Sequence, residues 1–113
     1  MLGGQLDNRS PSLYTLHVKV RSFTNKALKR LYQQDNPKGL PADAVGKIRK
    51  MLAFMDDMED VEELKALPSW DPHLLKGGRK GTWSLAVTRN WRLTFRMDAD
   101  AQEIVDVDFE DYH

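Results

Sequence analysis

The chain contains three histidines, and two of them lie where an imidazole can take part in chemistry. His73 enters a basic segment in Asp-Pro-His-Leu-Leu-Lys-Gly, and His113 follows an aromatic and acidic segment in Phe-Glu-Asp-Tyr-His. Because unperturbed histidine has a pKa of about 6.5, either side chain can act as a general acid or base near neutral pH. His17 lies on a predicted strand beside Lys19 and Arg21 and is interpreted as a surface residue. A surface histidine is more often inert than catalytic, so these positions need support from their surroundings.

Other site chemistries find little support in the sequence. The chain has no cysteine, which excludes disulfides and thiolate metal sites and favours a reducing compartment. No His-x-x-x-His or His-Glu-x-x-His spacing occurs, and the acidic run at 56–63 lacks the central glycine of a calcium loop. Ser69 and Ser84 lie outside any Gly-x-Ser-x-Gly turn, and the basic turn at 76–81 lacks Walker spacing. We therefore expect no metal and no cofactor.

Two successive predicted strands form a hairpin with a surface that can hold a phosphate. Matching their apolar faces leaves a three-residue loop, with Asn90 as the residue for its left-handed position. The apolar pairs are Trp83 with Phe95, Leu85 with Leu93 and Val87 with Trp91. In this register Arg92 and Arg96 share the other face, where they can grip a phosphate bidentately. They can equally well pair across strands with Asp106 and Asp108, and the sequence leaves both interpretations open.

The elements that position these residues follow from hydrophobic spacing. Apolar and polar residues alternate from Tyr14 to Arg21, which predicts a strand beginning near Leu13. Two amphipathic, antiparallel helices are predicted next, separated by a turn rich in proline and glycine. The first helix carries Ala27, Leu28 and Leu31 on one face behind a cap at Thr24 or Asn25, and the second has Pro41 in its first turn followed by Val45, Ile48, Leu52 and Met55.

The last strand is predicted to carry Val105, Val107 and Phe109 on one face and aspartates on the other. The order of elements predicts an α+β domain: an N-terminal strand, an antiparallel helix pair, then a mostly antiparallel sheet of three or four strands with both helices on one face. Residues 1–12 are small and polar, so we interpret them as a flexible leader or an expression remnant before one domain over 13–113.

The net charge of zero conceals four blocks of charge. Residues 1–34 carry six basic and one acidic side chain, 35–72 carry five and nine, 73–96 carry six and none, and 97–113 carry none and seven. A local basic surface can attract phosphate, although basic and acidic strands can equally pair within one sheet. No apolar run approaches the roughly 20 residues that cross a bilayer, so we expect a cytoplasmic protein with no membrane partner.

Three blocks of the sequence resemble the HigB-type toxins of the RelE/ParE superfamily. The blocks run from His73 to Leu85, from Asn90 to Arg96 and from Asp106 to His113. The Lys-Gly-Leu-Pro turn at 38–41 also fits, and the match covers about residues 20 to 113. Several blocks in the right order are more specific than any single motif. Two positions depart from the pattern: Gly78 stands where an acidic residue is common, and Thr82 where an aromatic is common.

The resemblance implies a RelE-like fold and a ribosome-dependent endoribonuclease, a toxin that cleaves mRNA in the 30S A site and so inhibits translation. A HigA-type helix-turn-helix antitoxin would neutralise it, and operator DNA would be contacted only through that antitoxin. The residues given catalytic importance are His73, Lys76, Arg92, Asp111, Tyr112 and His113. We expect further RNA contacts from Arg79, Lys80, Arg89 and Arg96. Tyr112 would stack on a base or orient a neighbour.

RNA supplies its own nucleophile, so a metal-free enzyme needs only to activate the 2′-hydroxyl, hold the phosphate and protonate the departing 5′-oxygen. Lys76 and Arg92 would balance charge on the phosphate, and His73, Asp111 and His113 are candidates for proton transfer, with the acid and the base unassigned. The hypothesis requires the two histidines to share one phosphodiester. Replacing His113 by Gln, or Arg92 by Ala, is expected to abolish cleavage and leave the thermal midpoint nearly unchanged.

Two other functions are open at this point. A ParE-like toxin of the same superfamily would bind DNA gyrase without cutting RNA, and an inactive relative would only occupy an antitoxin and its operator. His73 and the Asp-Tyr-His at 111–113 favour cleavage over gyrase binding, and growth arrest on expression that is lost in a His113 variant would exclude the inactive relative.

Overall fold

The structure is a computed structural model that describes residues 18–98 and 100–111. Its elements in chain order are strand β1 (Lys19–Val20), helices α1 (Lys26–Gln34) and α2 (Ala42–Asp57), and strands β2 (His73–Leu74), β3 (Thr82–Ala86), β4 (Trp91–Asp98) and β5 (Glu103–Asp111). Short 3-10 helices lie at Val61–Ala66, Pro68–Trp70 and Gly77–Arg79. The predicted leader and the start of the first predicted strand lie outside the described residues.

The strands form one sheet in the order β1-β5-β4-β3-β2. β1 pairs with β5 in parallel, and every other neighbouring pair is antiparallel. The predicted α+β class and the mostly antiparallel sheet are confirmed. The sheet has five strands because the N-terminal strand joins it and because His73 and Leu74 pair with Ser84 and Trp83 at the other edge.

The predicted hairpin register is confirmed at every position. Trp83 lies opposite Phe95 and Leu85 opposite Leu93, and just past the end of β3 the same register pairs Val87 with Trp91. This leaves Thr88, Arg89 and Asn90 as the three-residue loop expected from the apolar pattern. The conformation expected for Asn90 is wrong, since Asn90 is not among the positive-φ residues of the described part. The amides of Val87 and Thr88 both donate to the carbonyl of Trp91, at 2.9 and 3.2 Å, and this closes the loop without a left-handed residue there.

A β-bulge in β5 overturns the predicted alternation of the last strand. Asp106, in the left-handed region at φ 57°, and Val107 together oppose Phe95 alone. The extra residue shifts the alternation, so that the side chains before the bulge point to the opposite face from the one predicted. The buried residue before the bulge is therefore Ile104 and not Val105. The bulge rests on a distant contact, in which the amide of Asp106 donates to Ser22 Oγ at 2.9 Å.

Both helices pack on one face of the sheet and share its core. The buried side chains of that core include Leu28 and Leu31 from α1, Ile48, Met51, Leu52 and Met55 from α2, and Trp83, Leu85, Leu93, Phe95, Ile104 and Val107 from the sheet. The helices are antiparallel, since Tyr32 bonds to Asp56 near the end of α2 while Asp35, further along the chain, pairs with Arg49. In the described part of the chain, no helix is long and apolar enough to cross a membrane.

The helix starts differ slightly from their predictions. Asn25 is the cap of α1, as expected, and its Oδ1 accepts a hydrogen bond from the amide of Leu28 at 3.0 Å. Pro41 is the residue before α2 and not a member of its first turn, because its ψ of 133° is extended and the helix begins at Ala42.

Candidate active site on the polar face of the sheet

Alternation along the strands gathers polar side chains on the sheet face opposite the core. This polar face consists of Thr82, Ser84, Arg92, Thr94, Arg96, Asp108 and Glu110. Two adjoining clefts of about 480 and 440 Å³ open on it, and Arg79, Thr94 and Glu110 line both. Ser84, Arg92 and Asp111 line the first, which we call the Arg92 cleft. The face predicted to carry chemistry therefore contains a concave surface.

Arg92 is a buried cation at the wall of this cleft, with only 7% of its surface exposed. Its Nε donates to Ser84 Oγ at 2.6 Å and its Nη2 to the Ser84 carbonyl at 3.1 Å. Nη2 also donates to the Asp71 carbonyl at 2.8 Å, and Nη1 to Asp71 Oδ2 at 3.2 Å. These bonds fix the position of the positive charge of Arg92. A fixed charge stabilises a negative charge that develops in a transition state better than a mobile one, because no side chain has to be reoriented during the reaction.

Arg92 has a partner that was not considered from the sequence. Its Nη1 lies 3.2 Å from Asp71 Oδ2, whereas Arg96 lies 3.9 Å from Asp106, one of the two aspartates considered. The burial of Arg92 also corrects the expectation that Arg92→Ala leaves the thermal midpoint nearly unchanged. Removing the guanidinium would leave its buried partner Ser84 without a donor, which costs about 1 to 3 kcal/mol.

Asp71 joins Arg92 to His73. Its Oδ1 lies 2.9 Å from His73 Nε2, while its Oδ2 faces Arg92. The hydrogen bond from Arg92, helped by the charge of His73, holds the pKa of the Asp71 carboxyl below its usual range. His73 itself is well exposed and lies opposite Ser84 in the sheet, so a residue on the edge strand β2 is tied to one on the central strand β4.

A second ion pair lies where the two clefts meet. Arg79 donates from both terminal nitrogens to the two Glu110 oxygens, at 2.8 and 2.6 Å, and Thr94 Oγ1 also donates to Glu110. The bond from Arg79, together with that from Thr94, lowers the pKa of Glu110, and the same pairing raises the pKa of Arg79. Arg79 was predicted to contact RNA, and in this arrangement its guanidinium is engaged by a carboxylate.

The other predicted site residues are less closely gathered. Asp111 lines the Arg92 cleft, whereas Lys76, Lys80 and Arg89 are exposed and line neither cleft. Arg96 lines the second cleft. Tyr112 and His113 lie outside the described residues, so the required meeting of His73 and His113 stays a prediction.

Three site residues were missed from the sequence, namely Asp71, Ser84 and Glu110. Ser84 had a signal, because the confirmed hairpin register places it on the same face as Arg92. Glu110 had a weaker one, since it continues the polar face of the predicted last strand, and the structure places it directly opposite Arg92. Asp71 had none, since it lies outside the predicted strands. Within the described ranges, no three His, Cys, Asp or Glu side chains form a group that could hold a metal ion.

Residues 21–113 match the family model of the HigB-like toxins, described as RelE-like toxins of the type II toxin–antitoxin system HigB. The chain belongs to this HigB-like toxin family. A relative of the chain, Endoribonuclease HigB of Proteus vulgaris, is 37% identical over 95 residues, which are 83% of this chain and 99% of the relative. The resemblance seen in the three sequence blocks is confirmed over nearly the bounds expected.

Two solved structures are similar to this chain at lower identity. The YoeB/ParE toxin from Agrobacterium tumefaciens is 21% identical, with a TM-score of 0.48 over 82% of this chain and 99% of that one. A chain of the heterotetrameric YoeB–YefM toxin–antitoxin complex from Staphylococcus aureus is also 21% identical, with a TM-score of 0.49 over 85% of this chain and 99% of that one.

Proposed function

We propose that this chain is an endoribonuclease that cleaves mRNA on the ribosome by attack of the substrate's own 2′-hydroxyl on the adjacent phosphate. Its relative from Proteus vulgaris is named an endoribonuclease, and 99% of that protein is covered by the match. The structural observation that carries the proposal is the attachment of His73 and Arg92 to the one carboxylate of Asp71, beside the Arg92 cleft. A proton-transfer group and a fixed cation are the two parts that such a reaction requires.

In the proposed reaction, Arg92 stabilises the negative charge that builds on the phosphate, and His73 exchanges a proton with the RNA. The 2′-oxygen bonds to phosphorus as the bond to the 5′-oxygen breaks, which leaves a 2′,3′-cyclic phosphate and a 5′-hydroxyl. Asp111 lines the same cleft as Arg92 and is a candidate for the second proton transfer. The roles of Lys76, Tyr112 and His113 rest on the family resemblance.

Contacts with the remainder of the RNA are proposed for the basic residues outside the Arg92–Asp71–His73 cluster. Lys76, Lys80 and Arg89 are exposed, and no ion pair joins them to another described residue, so their charge can meet phosphate directly. Arg79 would first have to exchange its Glu110 partner for a phosphate.

The proposed partners follow from membership of a type II toxin–antitoxin family. We propose a HigA-type helix-turn-helix antitoxin as the neutralising protein, with operator DNA contacted only through it. Cleavage of mRNA in the 30S A site would take place in the cytoplasm.

Substitution of His73 tests the proposal. His73→Gln removes a proton-transfer group worth about 10²- to 10⁴-fold in rate, and because His73 is exposed the thermal midpoint should change little. The measurement is the initial rate of mRNA cleavage on programmed ribosomes, with His17→Gln as a matched control that should cleave at the wild-type rate. If His73→Gln cleaves mRNA at the wild-type rate, the proposal is contradicted. Inhibition of gyrase supercoiling by the wild-type chain, with the mRNA left intact, would replace it by the ParE-like alternative.

A further inference from the structure

Asp71 is held in place independently of His73. It ends the 3-10 helix Pro68–Trp70 in the left-handed region, at φ 47° and ψ 56°, which aspartate tolerates better than most residues. Its amide donates to the Pro68 carbonyl at 3.0 Å, and its own carbonyl accepts from Arg92 at 2.8 Å. The backbone on both sides of the side chain is therefore fixed, and the carboxylate is presented to His73 in one orientation.

The charges around this carboxylate decide which nitrogen of His73 carries a proton. Arg92 has only donors and lowers the pKa of Asp71, so Asp71 is ionised at neutral pH and can only accept hydrogen bonds. The contact of 2.9 Å with His73 Nε2 must then be a donation from that nitrogen. In the neutral ring, Nδ1 holds the lone pair, and it has no hydrogen-bond partner among the described residues.

We propose that Asp71 is a positioning residue that fixes His73 in the Nε2–H tautomer, so that Nδ1 is the nitrogen that exchanges a proton with the RNA. The inference rests on the proposed function for the statement about RNA. As a base, neutral His73 would take the 2′-hydroxyl proton on Nδ1. As an acid, the doubly protonated ring would give the Nδ1 proton to the departing 5′-oxygen. In both cases Asp71 stabilises the ring when it carries two protons.

The carboxylate can be altered without removing Arg92 from its place. Arg92 keeps two hydrogen bonds to Ser84 and one to the backbone carbonyl of residue 71 when the side chain of Asp71 changes. The anchoring of Arg92 and the orientation of His73 are thus separable functions of the same residue.

Asparagine is the informative replacement because it has the shape of aspartate and only one acceptor oxygen. In Asp71→Asn the amide oxygen must face the donors of Arg92, and this turns the NH₂ group towards His73. Nε2 must then accept, and the proton moves to Nδ1. The substitution is predicted to invert the tautomer without changing the packing.

Long-range ¹H–¹⁵N NMR of the full chain reads the tautomer directly, at a pH above which the ring nitrogen shifts of His73 no longer change, so that the ring is neutral. Signals are assigned with His73→Gln. We expect Nε2–H in the wild-type chain, Nδ1–H in Asp71→Asn, and a loss of cleavage of about 10²-fold or more in Asp71→Asn. Asp100→Asn, the same change in the exposed turn between β4 and β5, should leave both readouts as in the wild type.

An Nδ1–H tautomer in the wild-type chain would overturn the inference, and this measurement needs no variant. Two results with Asp71→Asn would also overturn the inference: the ring of His73 keeps the Nε2–H tautomer, or the tautomer is inverted and the variant still cleaves mRNA at the wild-type rate. The failure of the proposed function is a distinct result, in which His73→Gln cleaves mRNA normally while the NMR spectra still show that Asp71 sets the tautomer.

Discussion

At the scale of residues, the site is organised by carboxylates that the sequence did not single out. Asp71 joins His73 to Arg92, and Glu110 engages Arg79. Each carboxylate is held ionised by an arginine, so each fixes a cation on the polar face instead of acting as an acid near neutral pH.

The Glu110 pair predicts a dependence of stability on pH. The folded pKa of Glu110 is lowered, so its contribution to the free energy of unfolding is fully present above the ordinary pKa of 4.5 and is lost as the pH falls through the lower folded value. Glu110→Gln should reduce stability at pH 7 by about 1 kcal/mol or less, because Arg79 is half exposed. Urea unfolding of both proteins at a series of pH values measures the difference, which should shrink towards zero in acid.

Glu59→Gln is the matched control, since Glu59 is exposed in the segment after α2 and should behave as the wild type at every pH. A constant difference between Glu110→Gln and wild type from neutral pH to about pH 3 would show that Glu110 does not titrate as the structure indicates.

At the scale of elements, the sequence predicted what depends on local pattern. The β3–β4 register was determined by matching apolar faces, and it placed Arg92 and Arg96 on one surface correctly. The bulge at Asp106 was not predictable, because it depends on a left-handed aspartate and a hydrogen bond to Ser22, 84 residues earlier. The two-residue strand that holds His73 was missed for a related reason, since two residues show no alternation and its pairing with β3 is a tertiary contact.

The cap of α1 gives a prediction at this scale. Asn25→Ala removes the acceptor for the Leu28 amide, which should cost about 1 kcal/mol and lower the thermal midpoint by about 4 °C in calorimetry. The backbone bond from residue 25 to the Val107 carbonyl is kept, so the sheet contact should survive. Gln33→Ala, at an exposed position on the same helix, should not lower the midpoint. An equal midpoint for Asn25→Ala and wild type would show that the cap contributes nothing.

At the scale of the whole molecule, the acidic block 97–113 forms ion pairs with the basic blocks 1–34 and 73–96. The acidic last strand pairs with earlier basic segments, through Arg21 with Glu103 at 2.7 Å and Arg79 with Glu110 at 2.6 Å. The interpretation that basic and acidic strands pair is confirmed for β4 and β5, where Arg96 lies 3.9 Å from Asp106. A basic surface is left to exposed side chains such as Lys76, Lys80 and Arg89. The number of basic and acidic residues in each block can be read from the sequence. Which basic side chains stay unpaired at the surface cannot, because the ion pairs depend on how β5 lies against its neighbours.

The chemical ends of the RNA fragments test the central claim most directly. Incubation of the wild-type chain with ribosomes programmed with a defined mRNA should yield upstream fragments that end in a 2′,3′-cyclic phosphate and downstream fragments that begin with a 5′-hydroxyl. These ends require the 2′-oxygen of the substrate as the nucleophile, which is the reaction proposed for the Arg92–Asp71–His73 cluster. Fragments with 3′-hydroxyl and 5′-phosphate ends, or mRNA that stays intact, would contradict it.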